Sequence, residues 1–178
     1  MSKIGKKSQL EAVILAGGKS QRMGSDKTKL RVGKYTLLGH ARRVARDLNI
    51  SSRVIKVDYR TGCGPLGGIE TALRRTKMRR VLFLSCDMPF LTSQLVESLL
   101  DHDCLAVFSQ IDGMAGFPFC LKPKILYQVE QHIESGKLSL QSLAEATGHL
   151  FCIPESDRAQ MENVNTPEEL NAARARLQ

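Results

Sequence analysis

Apolar residues fall along this chain in two rhythms that alternate from the amino end to the carboxyl end. Ala12-Val13-Ile14-Leu15 and Val81-Leu82-Phe83-Leu84 are short unbroken runs, the pattern of strands buried on both faces of a parallel sheet. Leu37, Leu38, Ala41, Val44, Ala45 and Leu48 recur instead at helical spacing with arginines on the other face, which predicts a helix over 37–48. A short strand over 53–57, a loop over 58–65 and a helix over 66–75 follow. Beyond the second apolar run, Thr92 is placed to cap a helix reaching Leu100, and strands over 105–109 and 117–121 flank the turn Asp112-Gly113. Helices over 124–134 and 140–146 and a last strand over 150–153 complete the middle of the chain. Thr166-Pro167-Glu168-Glu169 then opens a final helix with an N-cap, a proline at the first position and acids in the first turn. Strands alternating with helices predict an α/β fold around a mostly parallel sheet.

Composition narrows the class. A chain of 178 residues reads as a single domain, 1–178, large enough to bury a core without disulfides or a structural metal. Residues 1–9 are basic and polar, a flexible N-terminus without the apolar stretch of a secretory signal, so the expected compartment is the cytoplasm. The longest apolar runs are too short to span a bilayer. Cys63, Cys86, Cys104, Cys120 and Cys152 are scattered, with no CxxC pair and no histidine at zinc spacing, as expected of free thiols. Cys63 and Cys86 are best read as small buried hydrophobes. The net charge of +8 raises nucleic acid as a partner, but 5% aromatics, no Trp and no recognised binding motif weigh against it. The arginines at 42–46 and 74–80 read as solvated helix faces, and the cationic surplus suits phosphate substrates. The four histidines have no partners at ligand spacing.

The candidate chemistry begins where the first strand ends. LAGGKSQRMGSDK, from Leu15 to Lys27, is a glycine-rich turn that exposes bare backbone N–H groups and adds Arg22 and Lys27, which suits a polyphosphate. It is not a Walker A loop, because five residues rather than four separate Gly18 from Gly24, and Ser25 follows. Asp87 directly follows the second buried strand, where a lone carboxylate is costly unless it meets a cation. Mg²⁺ held together with substrate phosphates fits that position, and a helix cap or a lysine partner is the plainer alternative. A rival lies between them, since Gly62-Cys63-Gly64-Pro65-Leu66-Gly67 matches the GxGxxG of dinucleotide-binding dehydrogenases, with Asp87 about twenty residues on. Four residues intervene between the expected strand and its first glycine, however, and Pro65 removes an amide where phosphate would sit.

Four segments in order, LAGGKSQRMGSDK, Gly64-Pro65-Leu66-Gly67-Gly68, Cys86-Asp87-Met88-Pro89-Phe90 and Asn163-Val164-Asn165-Thr166-Pro167, resemble the molybdenum cofactor guanylyltransferases over nearly the whole chain. The resemblance implies a Rossmann-like three-layer sandwich of the nucleotide-diphospho-sugar transferase type. The implied activity is Mg²⁺-dependent transfer of GMP from GTP to molybdopterin, giving the guanine dinucleotide cofactor and pyrophosphate. It also implies, as partners, the proteins of molybdenum-cofactor biosynthesis and the apo-molybdoenzymes that receive the product. Related enzymes that use CTP tend to carry LAAG, so Gly17 favours guanine. By the same resemblance Leu15, Ala16, Gly17 and Gly18 lie against the nucleotide, Arg22 and Lys27 on its phosphates and Asp58 near the guanine. Asp87 meets both nucleotide and magnesium, and Asn163 and Asn165 lie on the molybdopterin side. Arg22, Lys27 and the metal would neutralise charge on the α-phosphate and the departing pyrophosphate, while an already anionic acceptor needs little general-base help.

One interval departs from the family. Its members usually have a longer stretch before the GPL loop, including a strand that ends in a guanine-binding asparagine, whereas only residues 49–58 cover that ground here. Asn49 is a weak substitute. The alternatives are therefore a related nucleotidyltransferase that uses CTP or a sugar-phosphate acceptor, and a nucleotide-binding homologue without turnover.

Overall fold

In the computed structural model of the protein, residues 9–16 and 26–177 are described. Most of the basic N-terminus, residues 1–8, and the segment 17–25 lie outside them. The last residue of that N-terminal stretch, Gln9, is tied down: its carbonyl accepts N–H bonds from Arg79 and Arg80 at 3.0 and 3.1 Å.

The central sheet has six strands in the order β4-β1-β5-β7-β6-β8. These are β1 (Leu10–Leu15), β4 (Ser51–Ile55), β5 (Arg80–Ser85), β6 (Ala106–Ile111), β7 (Met114–Leu121) and β8 (His149–Cys152). β1 pairs in parallel with β4 and β5, and β6 in parallel with β8, while β7 runs antiparallel to both of its neighbours. A two-stranded ribbon, β2 (Arg31–Val32) and β3 (Tyr35–Thr36), stands apart. The α-helices among the described residues are α1 (Leu37–Asp47), α2 (Gly64–Arg75), α3 (Ser93–Leu100), α4 (Leu126–Glu134), α5 (Leu140–Thr147) and α6 (Pro167–Arg176).

Strand alternation divides the core in two. Ala12, Ile14, Leu82, Leu84 and Val107 face one side, packing on Val44 and Leu48 from the α1 region and on Leu95 and Leu99 of α3. Val13, Val81, Phe83, Phe108 and Phe119 face the other, against Leu66, Ile69 and Leu73 of α2, Val129 of α4 and Leu143 of α5. Both faces are therefore covered, which is why β1 and β5 are continuously apolar. A smaller cluster of Val32, Leu37, Val164, Leu170 and Ala173 docks α6 beside the ribbon. The α6 start is the one predicted, with Thr166 and Glu169 forming a reciprocal capping box.

Several expectations are corrected. Only β4 fills the interval between α1 and the next helix, at 51–55 rather than 53–57, and the sheet ends with it. α2 begins two residues before the expected start, with Pro65 in its first turn. Asn49 adopts the left-handed conformation, φ 56°, just after α1, with its N–H on Arg46 O. It thus turns the chain into β4 at the end of the sheet opposite the carboxyl ends of β1 and β5, too far round to serve a ligand there. Cys86 is buried as expected, but Cys63 is only half-buried. Arg74 is not a solvated cation, because it bonds the fully buried Glu70 and also Glu130. His102 and His149 do meet, as tilted rings with centroids 4.7 Å apart.

Candidate active site

The carboxyl ends of β1 and β5 open into a cleft of about 660 Å³ lined by Leu15, Ile55, Asp58, Thr61, Gly62, Pro65, Gly68, Ser85 and Phe117. Ligands of open α/β sheets bind at such strand ends. Leu15 is half-buried against the cleft, and the Ala16 N–H, the last described before the glycine-rich turn, is committed to Ile55 O at 3.0 Å. Gly17, Gly18 and Arg22 lie outside the described residues.

Lys27 re-enters on a 3₁₀ turn, Lys27–Lys29, whose start is fixed by Asp26. The Asp26 carboxylate accepts from Thr28 N at 3.1 Å and from Thr28 Oγ1 at 2.6 Å. Thr28 is buried by this arrangement, Lys29 swings outward, and Lys27 turns inward with its side chain only 13% exposed. Its Nζ lies 3.0 Å from Asp87 Oδ2 and 2.7 Å from Asn165 Oδ1. Asp87 is delivered by the end of β5, and its Oδ1 accepts from Ser85 Oγ. Asn165 is delivered by a main-chain bond from Val164 N to Asp87 O, 2.8 Å, with Val164 buried and the asparagines on either side exposed. Three of the four sequence motifs thus converge on one ammonium.

A second cleft, about 490 Å³, lies beyond this centre and is lined by Phe90, Glu162, Asn163, Val164, Asn165 and Arg176. Arg176 covers the Phe90 ring at 3.9 Å. Ser85 borders the first cleft and Asn165 the second, so the Lys27–Asp87 pair stands between them. Asn163 faces only the second.

The electrostatics differ across the site. Burial holds the Asp58 carboxyl above the ordinary aspartate range, and Asp58 lies against Gly67 and Gly68, where an added Cβ would come within 3.1 and 3.4 Å of its carboxylate oxygens. These glycines are space for a carboxylate, not a phosphate-binding turn. The GxGxxG match therefore loses its basis, and its first glycine is seven positions past the end of β4. The Cys86 thiol is pushed up to about 11, first by burial and then by the Asp87 charge, so it stays protonated and is no nucleophile.

Among the described residues no three His, Cys, Asp or Glu side chains group to hold a metal. The donor set nevertheless fits Mg²⁺ bound largely through a substrate, which takes one or two protein oxygens and completes its shell with phosphates and water. Asp87 Oδ2 and Asn165 Oδ1 already converge on one cation, the Lys27 ammonium.

Sequence reasoning missed Ser85 and Phe117. Ser85 was legible as the strand-end hydroxyl two positions before Asp87. Phe117 had no local signal, since it enters the cleft only because β7 is reversed.

Fold and site together define a nucleotidyltransferase-like α/β protein, with two clefts flanking a lysine–aspartate centre. The profile of the MobA-like NTP transferase domain matches residues 12–150, and the chain belongs to that family. It is 35% identical to the molybdenum cofactor guanylyltransferase of Pseudomonas putida, with 89% of this chain and 94% of that protein aligned. It is 29% identical to the Haemophilus influenzae protein of the same name, with 90% and 95% aligned. The Pseudomonas alignment runs over 181 positions, more than the whole 178-residue chain, so it carries gaps on this chain's side. Among solved structures, molybdopterin-guanine dinucleotide biosynthesis protein A of Archaeoglobus fulgidus superposes with a TM-score of 0.71 at 18% identity, covering 93% of this chain and 97% of that one. The 2-C-methyl-D-erythritol 4-phosphate cytidylyltransferase of Thermus thermophilus has the same fold, with a TM-score of 0.68 at 15% identity over 94% and 98%. No described helix is long and apolar enough to cross a membrane.

Proposed function

We propose that this protein transfers GMP from GTP to the phosphate of molybdopterin, forming molybdopterin guanine dinucleotide and releasing pyrophosphate. The observation that carries the reading is the Lys27–Asp87–Asn165 centre, built from three distant segments and set between two clefts. The relatives named guanylyltransferase, aligned over most of both chains, supply the acceptor and the base.

In this reading the first cleft takes the nucleoside. Leu15 and Phe117 give it apolar walls, and the family resemblance assigns Leu15, Ala16, Gly17 and Gly18 to the nucleotide. Guanine offers two adjacent donors, N1–H and the 2-amino group, which a carboxylate accepts side by side. Asp58, without a cationic partner among the described residues and raised by burial, is suited to them. Adenine and cytosine present a single amino donor on that edge.

The triphosphate then extends towards Lys27. An ammonium carries three donors, of which Asp87 and Asn165 take two, leaving one for a phosphate oxygen. Arg22 adds a second cation by the sequence resemblance. An oxygen of the molybdopterin phosphate, entering from the side of Asn163 and Asn165, attacks the α-phosphorus in line. The new P–O bond forms as the bond to the bridging α–β oxygen breaks, and its electron pair leaves with pyrophosphate. The attacking oxygen is already anionic, so no side chain has to remove a proton, and the chain's work is positioning and charge neutralisation. Asp87, with Asn165 beside it, would hold Mg²⁺, which supplies Lewis-acid stabilisation of phosphate charge when bound. We assign the protein's partners as the molybdopterin-supplying biosynthetic machinery and the apo-molybdoenzymes, with the cytoplasm as its compartment.

The test is pyrophosphate release by the purified protein with molybdopterin and GTP, CTP or ATP, with and without Mg²⁺. Release specific to GTP and dependent on both acceptor and metal is expected. Release with CTP instead, or GTP binding without turnover, would overturn the assignment.

A further inference from the structure

Among the described residues no strand lies beyond β4 to support the loop that carries Asp58, and one stripe of α2 holds it instead. Tyr59 N donates to Thr71 Oγ1 at 2.7 Å, and that hydroxyl donates in turn to Gly67 O at 2.7 Å. The Arg60 carbonyl oxygen passes 2.8 Å from where a Cβ on Gly67 would stand. Arg74 lays its guanidinium on the Tyr59 ring, 4.9 Å from the centroid. Below this stripe sits Glu70, a fully buried carboxylate. Its Oε1 lies 3.0 Å from Arg74 Nε and 3.3 Å from Arg60 Nε, and its Oε2 has no hydrogen-bond partner among the described residues. Glu134 of α4 reaches the far side of the Arg60 guanidinium at 3.8 Å.

A buried carboxylate is costly unless paired. Arg74, one turn further along the same helix, already meets that need without the loop. Arg60 therefore adds something different: it ties the main chain two residues after Asp58 to a charge fixed inside the helix layer. Asp58 itself presses on Gly67 and Gly68, and among the described residues no hydrogen bond or ion pair holds its carboxylate in register, so its aim follows from its neighbours.

We infer that Arg60, anchored on buried Glu70, is the positioning residue of the base subsite: it fixes the shortened loop so that Asp58 meets the guanine edge. The inference rests on the guanine reading of the first cleft. A carboxylate rewards both guanine donors only if its plane and distance are set, so a loosened loop loses base discrimination before it loses phosphate binding.

The experiment compares GTP with ITP, which lacks only the 2-amino group, by calorimetry with Mg²⁺ on wild type, Arg60→Met and Arg60→Lys, with Tm recorded for each. Wild type is expected to prefer GTP by about tenfold, the worth of one hydrogen-bonded donor. Arg60→Met folds, because Arg74 still pairs with Glu70, and its preference falls to within about twofold while ITP affinity changes less than about threefold. Arg60→Lys keeps most of the preference. A purely structural role would lower Tm and leave the GTP to ITP ratio untouched, and an Arg60→Met protein with the wild-type ratio overturns the inference. Wild type with no preference for GTP refutes the guanine reading instead. Arg60 then stands or falls on whether Arg60→Met weakens binding of whichever of GTP, CTP or ATP the wild type takes.

Discussion

Lys27 Nζ lies 3.0 Å from Asp87 Oδ2, although sixty positions separate the two residues in the chain. Asp26 aims the lysine by capping the turn on which it sits, and the end of β5 aims the aspartate. Both side chains are mostly covered, with 13% and 20% left exposed, and that remainder gives a ligand that brings its own charges access to the pair.

Asp87→Ala and Lys27→Ala are each expected to lower pyrophosphate release from GTP at least about a hundredfold, the usual cost of losing charge stabilisation at a reacting phosphate. Both variants should unfold near the wild-type temperature. Asp87→Asn should keep a contact to Lys27 yet lose the response of GTP binding to Mg²⁺, measured by thermal shift with and without a chelator. Near wild-type rates in Asp87→Ala would defeat the metal assignment.

As pH falls, GTP affinity is expected to weaken at a higher pH than an ordinary aspartate, with a pKa of about 3.9, would allow. Burial raises the Asp58 pKa in the folded protein, so the protonated form, which cannot accept both guanine donors, accumulates at a higher pH. Stability runs the other way: Asp58 favours the folded state below the ordinary aspartate value, and that contribution is lost as pH rises through its folded pKa. Titrating the dissociation constant against pH checks this, with Asp58→Asn expected to flatten the profile.

Gly67→Ala should destabilise the protein by roughly 1–3 kcal/mol, because its methyl group meets the Arg60 carbonyl oxygen at 2.8 Å. Gly116→Ala is the control, since nothing stands within 4 Å of its added Cβ. Chemical denaturation of the two variants reads the difference, and equal stability would show that the 58–61 loop moves aside freely.

His40 is expected to make the fold sensitive to mild acid. Desolvation lowers its pKa; Nε2 meets Val32 O at 2.8 Å, Nδ1 has no hydrogen-bond partner among the described residues, and Arg43 lies nearby. The unfolded chain therefore takes up a proton first as pH falls below about 6.5. The His40 contribution is present above that pH and lost progressively towards its lower folded value. Melting at about pH 7.5 and about pH 5.5 should show a larger drop for wild type than for His40→Gln.

How much of this was legible in the sequence follows from how local each signal is. β1 and β5 are continuous apolar runs because both their faces are covered, so length and composition alone identify them. α6 was equally legible, since its capping box is written in adjacent residues. The ribbon β2–β3 was missed because strands of two residues have no periodicity to read. Lys27, Asp87 and Asn165 were each singled out, yet their convergence was carried by the family resemblance and not by spacing. Arg60 and Glu70 carried no motif at all. Glu70 occupies the middle of a helix where an exposed acid would be unremarked, and only the packing of α4 and the 58–61 loop makes it interior.

Among the described residues the sheet stops at β4, and the outer flank of that strand keeps a row of main-chain donors and acceptors that no described strand satisfies. Ser51 and Ser52 are exposed there, and Arg53 is drawn back across β1 by a two-pronged contact with Glu11 and a bond to Ala72 O. A border made of hydroxyls and a tethered guanidinium hydrates readily and gives an incoming chain little to zip onto. Trimming a sheet down to its first flanking strand thus carries a compositional obligation: whichever strand becomes outermost has to be written in water-loving letters.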